Sequence, residues 1–216
     1  GVPSLGLKVD ITSAEAIKDF TKIILRKFKR IDVLINNAAN NPKMENIMER
    51  EWSRLESFSL DDWNEDILVG LTGAFLCSKI IGSLMADRGR GVILNISSDL
   101  GIIAPDQRIY RKEGLNEQQQ PVKPVTYSVV KHGLIGLTKY LATYWCQKGI
   151  RVNVLCPGGV YNGQPGGFVE KLTNLIPLGR MADVDEYKGA IQFLCTDASS
   201  YMTGACLVVD GGRSTW

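Results

Sequence analysis

The sequence contains a single histidine, His132, and its five cysteines form no C-x-x-C pair. One histidine nearly excludes paired-imidazole catalysis and histidine-ligated metal sites, and the cysteine spacing offers no disulfide or zinc framework. Most of the cysteines lie within apolar runs, which predicts small buried thiols in a reducing compartment and no metal site. They are Cys77, Cys146, Cys156, Cys195 and Cys206.

Net charge is also small, at +2 for 216 residues. A balance of this kind gives no electrostatic footprint for nucleic acid or for an anionic membrane. The chain shows no signal-peptide-like start, and no apolar run is expected to be long enough to span a bilayer. We therefore expect a cytoplasmic protein that acts on a small molecule.

Strand-like apolar runs alternate with amphipathic helical stretches, which predicts an α/β fold with a parallel sheet in a single domain over residues 1–216. Ser13 and Asp61 are the expected N-caps of the first two helices. The predicted strands are "LGLKVDI", "IDVLINNAA", "GVILNISS", "IRVNVLCPGG" and "ACLVVDGG". The predicted helices are "SAEAIKDFTKIILRKF", "DWNEDILVGLTGAFLCSKIIGSLM", the segment from Tyr127 through "HGLIGLTKYLATYW", and "EYKGAIQFLCTD".

Small residues and turn formers follow three of these strands, at "NNAA" (36–39), "SSDLG" (97–101) and "PGGV" (157–160). In a doubly wound sheet, ligands bind beyond the carboxyl ends of the strands. Small residues there allow the backbone to approach a flat cofactor closely. Each stretch alone also fits an ordinary strand-to-helix turn.

The stretch "VTYSVVKHG" (125–133) places Tyr127 one helical turn before Lys131. By spacing alone the two could form a solvated pair on one helix face. A phenol with a reference pKa of ~10 is a poor base at neutral pH, but a nearby cation stabilises its phenolate. The pair is therefore a candidate general acid/base.

In their order and spacing, "NNAA", "NISSDLG", "YSVVK", "NVLCPGGV" and "YMTGACLVVDGG" resemble the short-chain dehydrogenase/reductase family over essentially the whole chain. The resemblance implies a Rossmann-like doubly wound parallel sheet and an NAD(P)-dependent oxidoreductase that interconverts an alcohol and a ketone. It implies that Ser98 hydrogen-bonds the substrate oxygen, that Tyr127 is the general acid/base, and that Lys131 stabilises the phenolate and holds the nicotinamide ribose. A homodimer or homotetramer is also implied.

The same resemblance implies a set of contacts with NAD or NADP: Asp10, Asn37, Ala38, Tyr127, Lys131, Pro157, Gly158 and Val160. The stretches "NNAANNPK" and "SSDLGIIAPDQRIYRKEG" are similar to bacterial members linked to flagellin or surface-sugar modification. The alternative is a non-catalytic dinucleotide-binding or scaffold protein with the same fold. The presence of Ser98, Tyr127 and Lys131 argues against that alternative.

Two features depart from the family pattern. Gly70, in "LVGLTGAF", stands where the family usually has an asparagine that supports a water relay; either its backbone carbonyl serves the relay or the relay is lost. No strand, glycine-rich turn and helix for a pyrophosphate opens the chain. We therefore expect an N-terminally truncated form that lacks the first strand-helix units and the residue that selects NAD or NADP. This leaves open whether the chain alone binds a dinucleotide.

The polar stretch 105–124, "PDQRIYRKEGLNEQQQPVKP", is longer than the usual family connection and joins the regions of Ser98 and Tyr127. It predicts a cap that uses Arg108 and Arg111 to bind an anionic sugar or nucleotide-linked sugar substrate. A solvated surface excursion is the alternative.

Two predicted helices, which contain "AFLCSKIIGSLM" and "GLIGLTKYLATYW", carry apolar residues on more than one face, which predicts self-association.

Overall fold

Four parallel strands form one sheet in the order β1-β2-β3-β4 in the computed structural model of the chain, which describes residues 2–40 and 53–216. The strands are β1 (Val33–Asn36), β2 (Gly91–Ile96), β3 (Ile150–Pro157) and β4 (Cys206–Val209). Parallel neighbours require crossover connections, and helices lie between them along the chain. The predicted Rossmann-like α/β fold is confirmed. Residues 41–43 of "NNAANNPK" lie outside the described residues.

The helices are α1 (Ala14–Phe28), α2 (Leu60–Arg88), α3 (Val125–Tyr144), α4 (Gly166–Thr173) and α5 (Lys188–Cys195). The Ser13 hydroxyl accepts a hydrogen bond from the Ala16 N–H at 3.2 Å, which confirms the predicted cap of α1. The predicted N-cap of α2, Asp61, is wrong. Ser59 has extended backbone and its hydroxyl accepts from the Asp62 N–H at 3.0 Å, whereas Asp61 already lies in the first helical turn.

The core lies on both faces of the two central strands. On one face, Ile93 of β2 and Val152 of β3 pack against residues of α2, of α3 and of the turn after it, namely Ile81, Met85, Leu141 and Trp145. On the other face, Leu94 and Leu155 pack against residues at and within α5, Tyr187 and Leu194. Two-sided burial explains why these strands are continuous apolar runs in the sequence.

The predicted strand "LGLKVDI" does not form. Residues 5–11 have no strand hydrogen bonding, and Leu5 and Leu7 are exposed. Strand propensity becomes a strand only when a neighbouring edge completes its hydrogen bonds, and no described strand pairs with this segment. The prediction is therefore wrong for the chain in this structure.

Helix α2 is long and apolar enough, by length and composition, to cross a membrane. The expectation that no such run exists is therefore wrong by these criteria. The fold accounts for this composition, because Ala74, Ile81 and Met85 are buried against the neighbouring helix and the sheet. The opposite side of α2 exposes further apolar residues, Leu68, Phe75 and Leu84.

All five cysteines are free thiols. Only Cys77 and Cys156 are buried, Cys195 is half-buried, and Cys146 and Cys206 are exposed. The expectation that most of them are buried is therefore wrong. Apolar neighbours in the sequence identified the strands and helices, but not the side of each that faces the interior.

Candidate active site

Ser98, Tyr127 and Lys131 meet at the carboxyl edge of the sheet. Ser98 follows β2 and caps a short 3-10 turn, Asp99–Gly101, and its hydroxyl lies close enough to Tyr127 to lower the pKa of the phenol. Lys131 Nζ donates a hydrogen bond to the Ile96 carbonyl at 3.0 Å and lies 5.7 Å from the centroid of the Tyr127 ring. The structure thus brings together the three predicted catalytic residues.

Close packing of the Ser98 turn on α3 sets this spacing. The Ser97 hydroxyl donates to the Lys131 carbonyl at 2.7 Å. A Cβ on Gly101 would overlap the Ser97 hydroxyl and lie 2.9 Å from the Lys131 carbonyl oxygen. Only glycine therefore allows the turn to lie flat on the helix that carries Tyr127 and Lys131.

Burial affects the protonation states of Tyr127 and Lys131. It raises the pKa of the Tyr127 phenol, and the Asp99 charge adds to that rise, while the hydrogen bond with Ser98 opposes it. Burial also lowers the pKa of Lys131 to about 8. Near neutral pH the phenol is therefore protonated and the amine cationic, which is the arrangement needed to donate a proton to a carbonyl oxygen.

A second lysine, Lys123, lies at the same site. Its Nζ is 3.7 Å from the centroid of the Tyr127 ring, within the range of a cation–π contact. Burial, followed by the like charge of Lys131, lowers its pKa to about 8. The sequence interpretation missed Lys123. A basic residue two positions before α3 was a usable signal, because the stretch 105–124 that carries it ends three residues before Tyr127.

An open pocket of about 400 Å³ adjoins this cluster. Its lining includes Gly70, Lys123, Tyr127 and Lys131. Gly70 lies in a π turn of α2, Leu68–Thr72, and a Cβ there would be only 2.6 Å from Val130 Cγ1. Since valine is stiff at χ1, an asparagine side chain cannot enter at position 70 without displacing α3 or Val130. A relay through the Gly70 backbone stays a prediction.

The stretch 105–124 is packed on the body of the protein. The Gln120 amide donates to the carbonyls of Lys112 and Leu115 at 3.0 and 2.8 Å, and its oxygen accepts from the Lys112 N–H at 2.9 Å. Ile109 and Tyr110 pack against a cluster formed by Phe168, Leu172, Ile176 and Met181. The stretch contains two short 3-10 turns, Gln107–Tyr110 and Glu117–Gln119.

Arg108 and Arg111 are exposed and already hold carboxylates. Arg108 Nη2 lies 2.7 Å from Asp106 Oδ2, and Arg111 Nη2 lies 2.9 Å from Glu117 Oε2, with 81% and 54% of the two arginine side chains exposed. The hydrogen bond from Arg108 lowers the pKa of Asp106 to about 2. A substrate anion would have to compete with these partners, and the substrate role of both arginines stays a prediction.

The predicted cofactor contacts other than Asp10 lie after strand ends or on α3. Gly158 follows β3, and its N–H donates to the Val209 carbonyl at 2.9 Å. Asp10 lies in an exposed segment, where its carboxylate accepts from the N–H and hydroxyl of Thr12 at 2.9 and 2.7 Å. The remaining positions are Asn37 and Ala38 after β1 and Pro157 and Val160 at and after the end of β3.

The buried charge on Lys131 is expected to reduce stability. Only 7% of this residue is exposed, and its pKa lies at about 8 against an ordinary 10.5. The folded state therefore binds the proton less tightly than the unfolded state, so stability rises between these two pH values. Lys131→Met should raise the free energy of unfolding at pH 7 by about 1–3 kcal/mol, since one pKa unit corresponds to ~1.4 kcal/mol.

Urea unfolding at about pH 7 and about pH 10 checks this expectation, because the gain should shrink as the wild-type amine deprotonates. Lys139→Met, which replaces an exposed lysine on the same helix, is the matched control and should change little. A Lys131→Met protein that is no more stable than wild type at the lower pH would contradict the proposed cost of burial.

Comparison with known proteins shows the family of the chain. The family model described as enoyl-(acyl carrier protein) reductase matches residues 1–214. D-threitol dehydrogenase from Mycolicibacterium smegmatis is 31% identical over 212 residues, which cover 96% of this chain and 72% of that protein.

Two solved structures extend the agreement to the fold. A short chain dehydrogenase from Leptospira borgpetersenii with bound NAD⁺ has a TM-score of 0.84 and 32% identity, covering 99% of this chain and 80% of that one. A gluconate 5-dehydrogenase from Burkholderia cenocepacia, in complex with NADP and tartrate, has a TM-score of 0.81 and 27% identity, covering 96% and 74%. The chain belongs to the short-chain dehydrogenase/reductase family.

Proposed function

We propose that this protein is an NAD(P)-dependent oxidoreductase that interconverts a secondary alcohol and a ketone on a small, sugar-like substrate. The observation that carries the proposal is the joint placement of Ser98, Tyr127 and Lys131 at the carboxyl edge of a parallel sheet. Relatives named for threitol and gluconate support a polyol or sugar acid as the substrate class.

Each residue has a distinct role. Tyr127 donates its proton to the carbonyl oxygen during reduction and accepts the alcohol proton during oxidation. Ser98 hydrogen-bonds the same oxygen and so orients it. Lys131, fixed by the Ile96 carbonyl, stabilises the phenolate. A bound nicotinamide supplies or accepts the hydride.

The residues present fit the nicotinamide end of the cofactor, because an amine and a phenol suited to ribose hydroxyls lie beside small residues at the strand ends. Lys131 and Tyr127 would hold the ribose. The proposed contacts with the rest of the cofactor are Asp10, Asn37, Ala38, Pro157, Gly158 and Val160. The two related structures bind NAD⁺ and NADP respectively, so both dinucleotides belong in the test.

The experiment assays full-length protein with NAD⁺ and NADP⁺ separately for oxidation of D-threitol and D-gluconate, and with NADH and NADPH separately for reduction of a 3-oxoacyl thioester. Turnover of a polyol or sugar acid is the expected result. Preference for the thioester would move the substrate class toward acyl carriers, as the family description suggests. Dinucleotide binding without turnover on any substrate would favour the alternative, a non-catalytic protein with this fold.

We further propose that the cap, residues 105–124, binds an anionic group of the substrate, such as the phosphate of a nucleotide-linked sugar. Replacing both Arg108 and Arg111 with alanine should raise KM about tenfold or more, because each charged hydrogen bond contributes about 1.5–3 kcal/mol. Dinucleotide affinity should not change. Arg30→Ala is the matched control, since Arg30 pairs with Asp32 at 2.9 Å in another exposed ion pair. An unchanged KM for the physiological substrate would show that the cap does not recognise it.

We also propose a homodimer or homotetramer formed through α2 and α3. These helices expose a set of large apolar or aromatic side chains, Leu68, Phe75, Leu84, Val129, Tyr140 and Tyr144. Light scattering of the full-length protein at micromolar concentration should detect the assembly, and Tyr140→Glu with Tyr144→Glu should weaken it. Tyr201→Glu alters a fully exposed tyrosine outside these helices and serves as the control. A strictly monomeric wild type would contradict the proposal.

For its cellular setting we propose the cytoplasm and a role in flagellin or surface-sugar modification. Five free thiols support a reducing compartment. The stretches "NNAANNPK" and "SSDLGIIAPDQRIYRKEG" support the finer assignment by their similarity to such bacterial proteins. Cell fractionation tests the first proposal, and analysis of surface glycans after deletion of the gene tests the second.

A further inference from the structure

A buried ion pair lies directly behind the candidate substrate-orienting serine. Ser98 Oγ donates to Asp99 Oδ1 at 2.7 Å, and Arg213 Nη1 donates to Asp99 Oδ2, also at 2.7 Å. Asp99 Oδ1 accepts a further hydrogen bond from the Leu100 N–H at 2.8 Å. Asp99 and Arg213 are both buried, so their charges interact strongly.

The hydrogen bonds of the Ser98 hydroxyl show how the Asp99–Arg213 ion pair affects it. A hydroxyl has one proton to donate and two lone pairs that accept. The Ser98 hydroxyl directs its proton to Asp99, and the Ser98 oxygen accepts from the Leu100 N–H at 3.2 Å. Ser98 must release Asp99 before it can donate to a substrate oxygen.

The charge on Asp99 decides how easily that release occurs. An uncompensated buried carboxylate would hold the Ser98 proton tightly, because hydrogen bonds to ionised acceptors are the stronger ones. The same charge raises the pKa of Tyr127 and so opposes phenolate formation. Arg213 lies against the far oxygen of the carboxylate and offsets both effects.

We propose that Arg213 is a positioning residue: by compensating Asp99, it leaves the Ser98 hydroxyl available to the substrate oxygen and keeps the Tyr127 phenol ionisable. This inference rests on the proposed roles of Ser98 and Tyr127. The turn after β4 fixes Arg213, because the Asp210 carboxylate accepts from the N–H groups of Gly212 and Ser214 at 2.9 and 2.8 Å.

A purely structural role, in which the ion pair only fastens the turn after β4, makes a different prediction. If the pair is only a fastener, Arg213→Gln lowers stability by leaving a buried, uncompensated carboxylate, and neutralising Asp99 as well can restore that stability, but kcat of the folded protein and the titration of Tyr127 do not change. If Arg213 acts by compensating charge, a neutral residue at position 99 removes the need for it. Asp99→Asn should then rescue Arg213→Gln.

The test measures kcat and KM for full-length wild type, Arg213→Gln, Asp99→Asn/Arg213→Gln and Arg213→Lys. Arg213→Gln should lower kcat about tenfold at pH 7, which corresponds to a pKa shift of about one unit, and leave the dinucleotide KM nearly unchanged. The double variant and Arg213→Lys should both recover to within about threefold of wild type. A double variant no better than Arg213→Gln, with an intact fold by thermal unfolding, overturns the proposal.

A second readout needs no turnover, so it separates failure of this inference from failure of the proposed function. Ultraviolet titration follows the Tyr127 phenolate as the difference between each protein and its Tyr127→Phe counterpart. Arg213→Gln should move this titration to higher pH by about one unit, the double variant should reverse the shift, and Asp99→Asn alone should move it to lower pH. If Arg213→Gln fails to fold, the Asp99→Asn shift decides; titrations unchanged in all folded variants overturn the proposal.

Discussion

Tyr127→Phe is expected to slow carbonyl reduction by about 10³-fold or more, since a positioned general acid contributes roughly 10²–10⁴-fold. The phenol is partly buried, lies near the Ser98 hydroxyl and is flanked by two lysine amines. Removing its hydroxyl deletes the proton donor and leaves the ring packing in place. Dinucleotide affinity should therefore remain nearly unchanged.

Steady-state reduction of the physiological ketone and fluorescence titration of the dinucleotide measure the two quantities separately. Tyr110→Phe is the matched control, because Tyr110 is a half-buried tyrosine of the cap whose ring packs against Phe168 at 5.6 Å. Its loss of a hydroxyl should change turnover far less. Turnover of Tyr127→Phe within about threefold of wild type would remove Tyr127 from the mechanism.

Gly101→Ala is expected to reduce both stability and activity. The new Cβ would overlap the Ser97 hydroxyl and lie 2.9 Å from the Lys131 carbonyl, so the Ser98 turn must move away from α3. Overpacking of this kind destabilises by about 1–3 kcal/mol. A displacement of about 1 Å between Ser98 and Tyr127 would slow turnover by roughly 10²-fold.

Gly136→Ala is the control for this prediction. Gly136 lies on α3, the helix against which the Ser98 turn packs, and a Cβ there would meet no heavy atom within 4 Å. Removing a helical glycine should stabilise the protein by up to about 1 kcal/mol. Thermal unfolding and kcat of the two variants decide the matter: a Gly101→Ala protein as stable and active as Gly136→Ala would show that the glycine does not set the site's spacing.

Local sequence patterns predicted the central strands, and the resemblance to the family, carried by short motifs, predicted the three candidate catalytic residues. Ser98 was assigned from the family's serine that is followed by two residues and a glycine, and Tyr127 and Lys131 were assigned from the family's Tyr-x-x-x-Lys. The pairing of Asp99 with Arg213 joins positions 114 residues apart, and no local pattern indicates it. The segment "LGLKVDI" is the converse case. Its local pattern is typical of a strand, but no strand forms because no described strand pairs with it.

Lys123 shows a second limit. The basic residues of the cap were interpreted as a group, and Arg108 and Arg111 were chosen because guanidinium groups suit anions. In the structure those two hold nearby carboxylates, and the lysine at the end of the cap lies over the Tyr127 ring. Which cation faces the site depends on how the cap folds, and composition does not contain that information.

The contact between Gly70 and Val130 constrains the order in which mutations can accumulate. Any side chain at position 70 would begin 2.6 Å from Val130 Cγ1, so a substitution there forces α3 or Val130 to move while valine remains at 130. A smaller residue at position 130 can be introduced while glycine remains at 70, at the cost of a small cavity. An evolutionary path to asparagine at 70 that avoids this displacement therefore passes through position 130 first, and substitutions at 70 alone should lower the thermal stability of the protein.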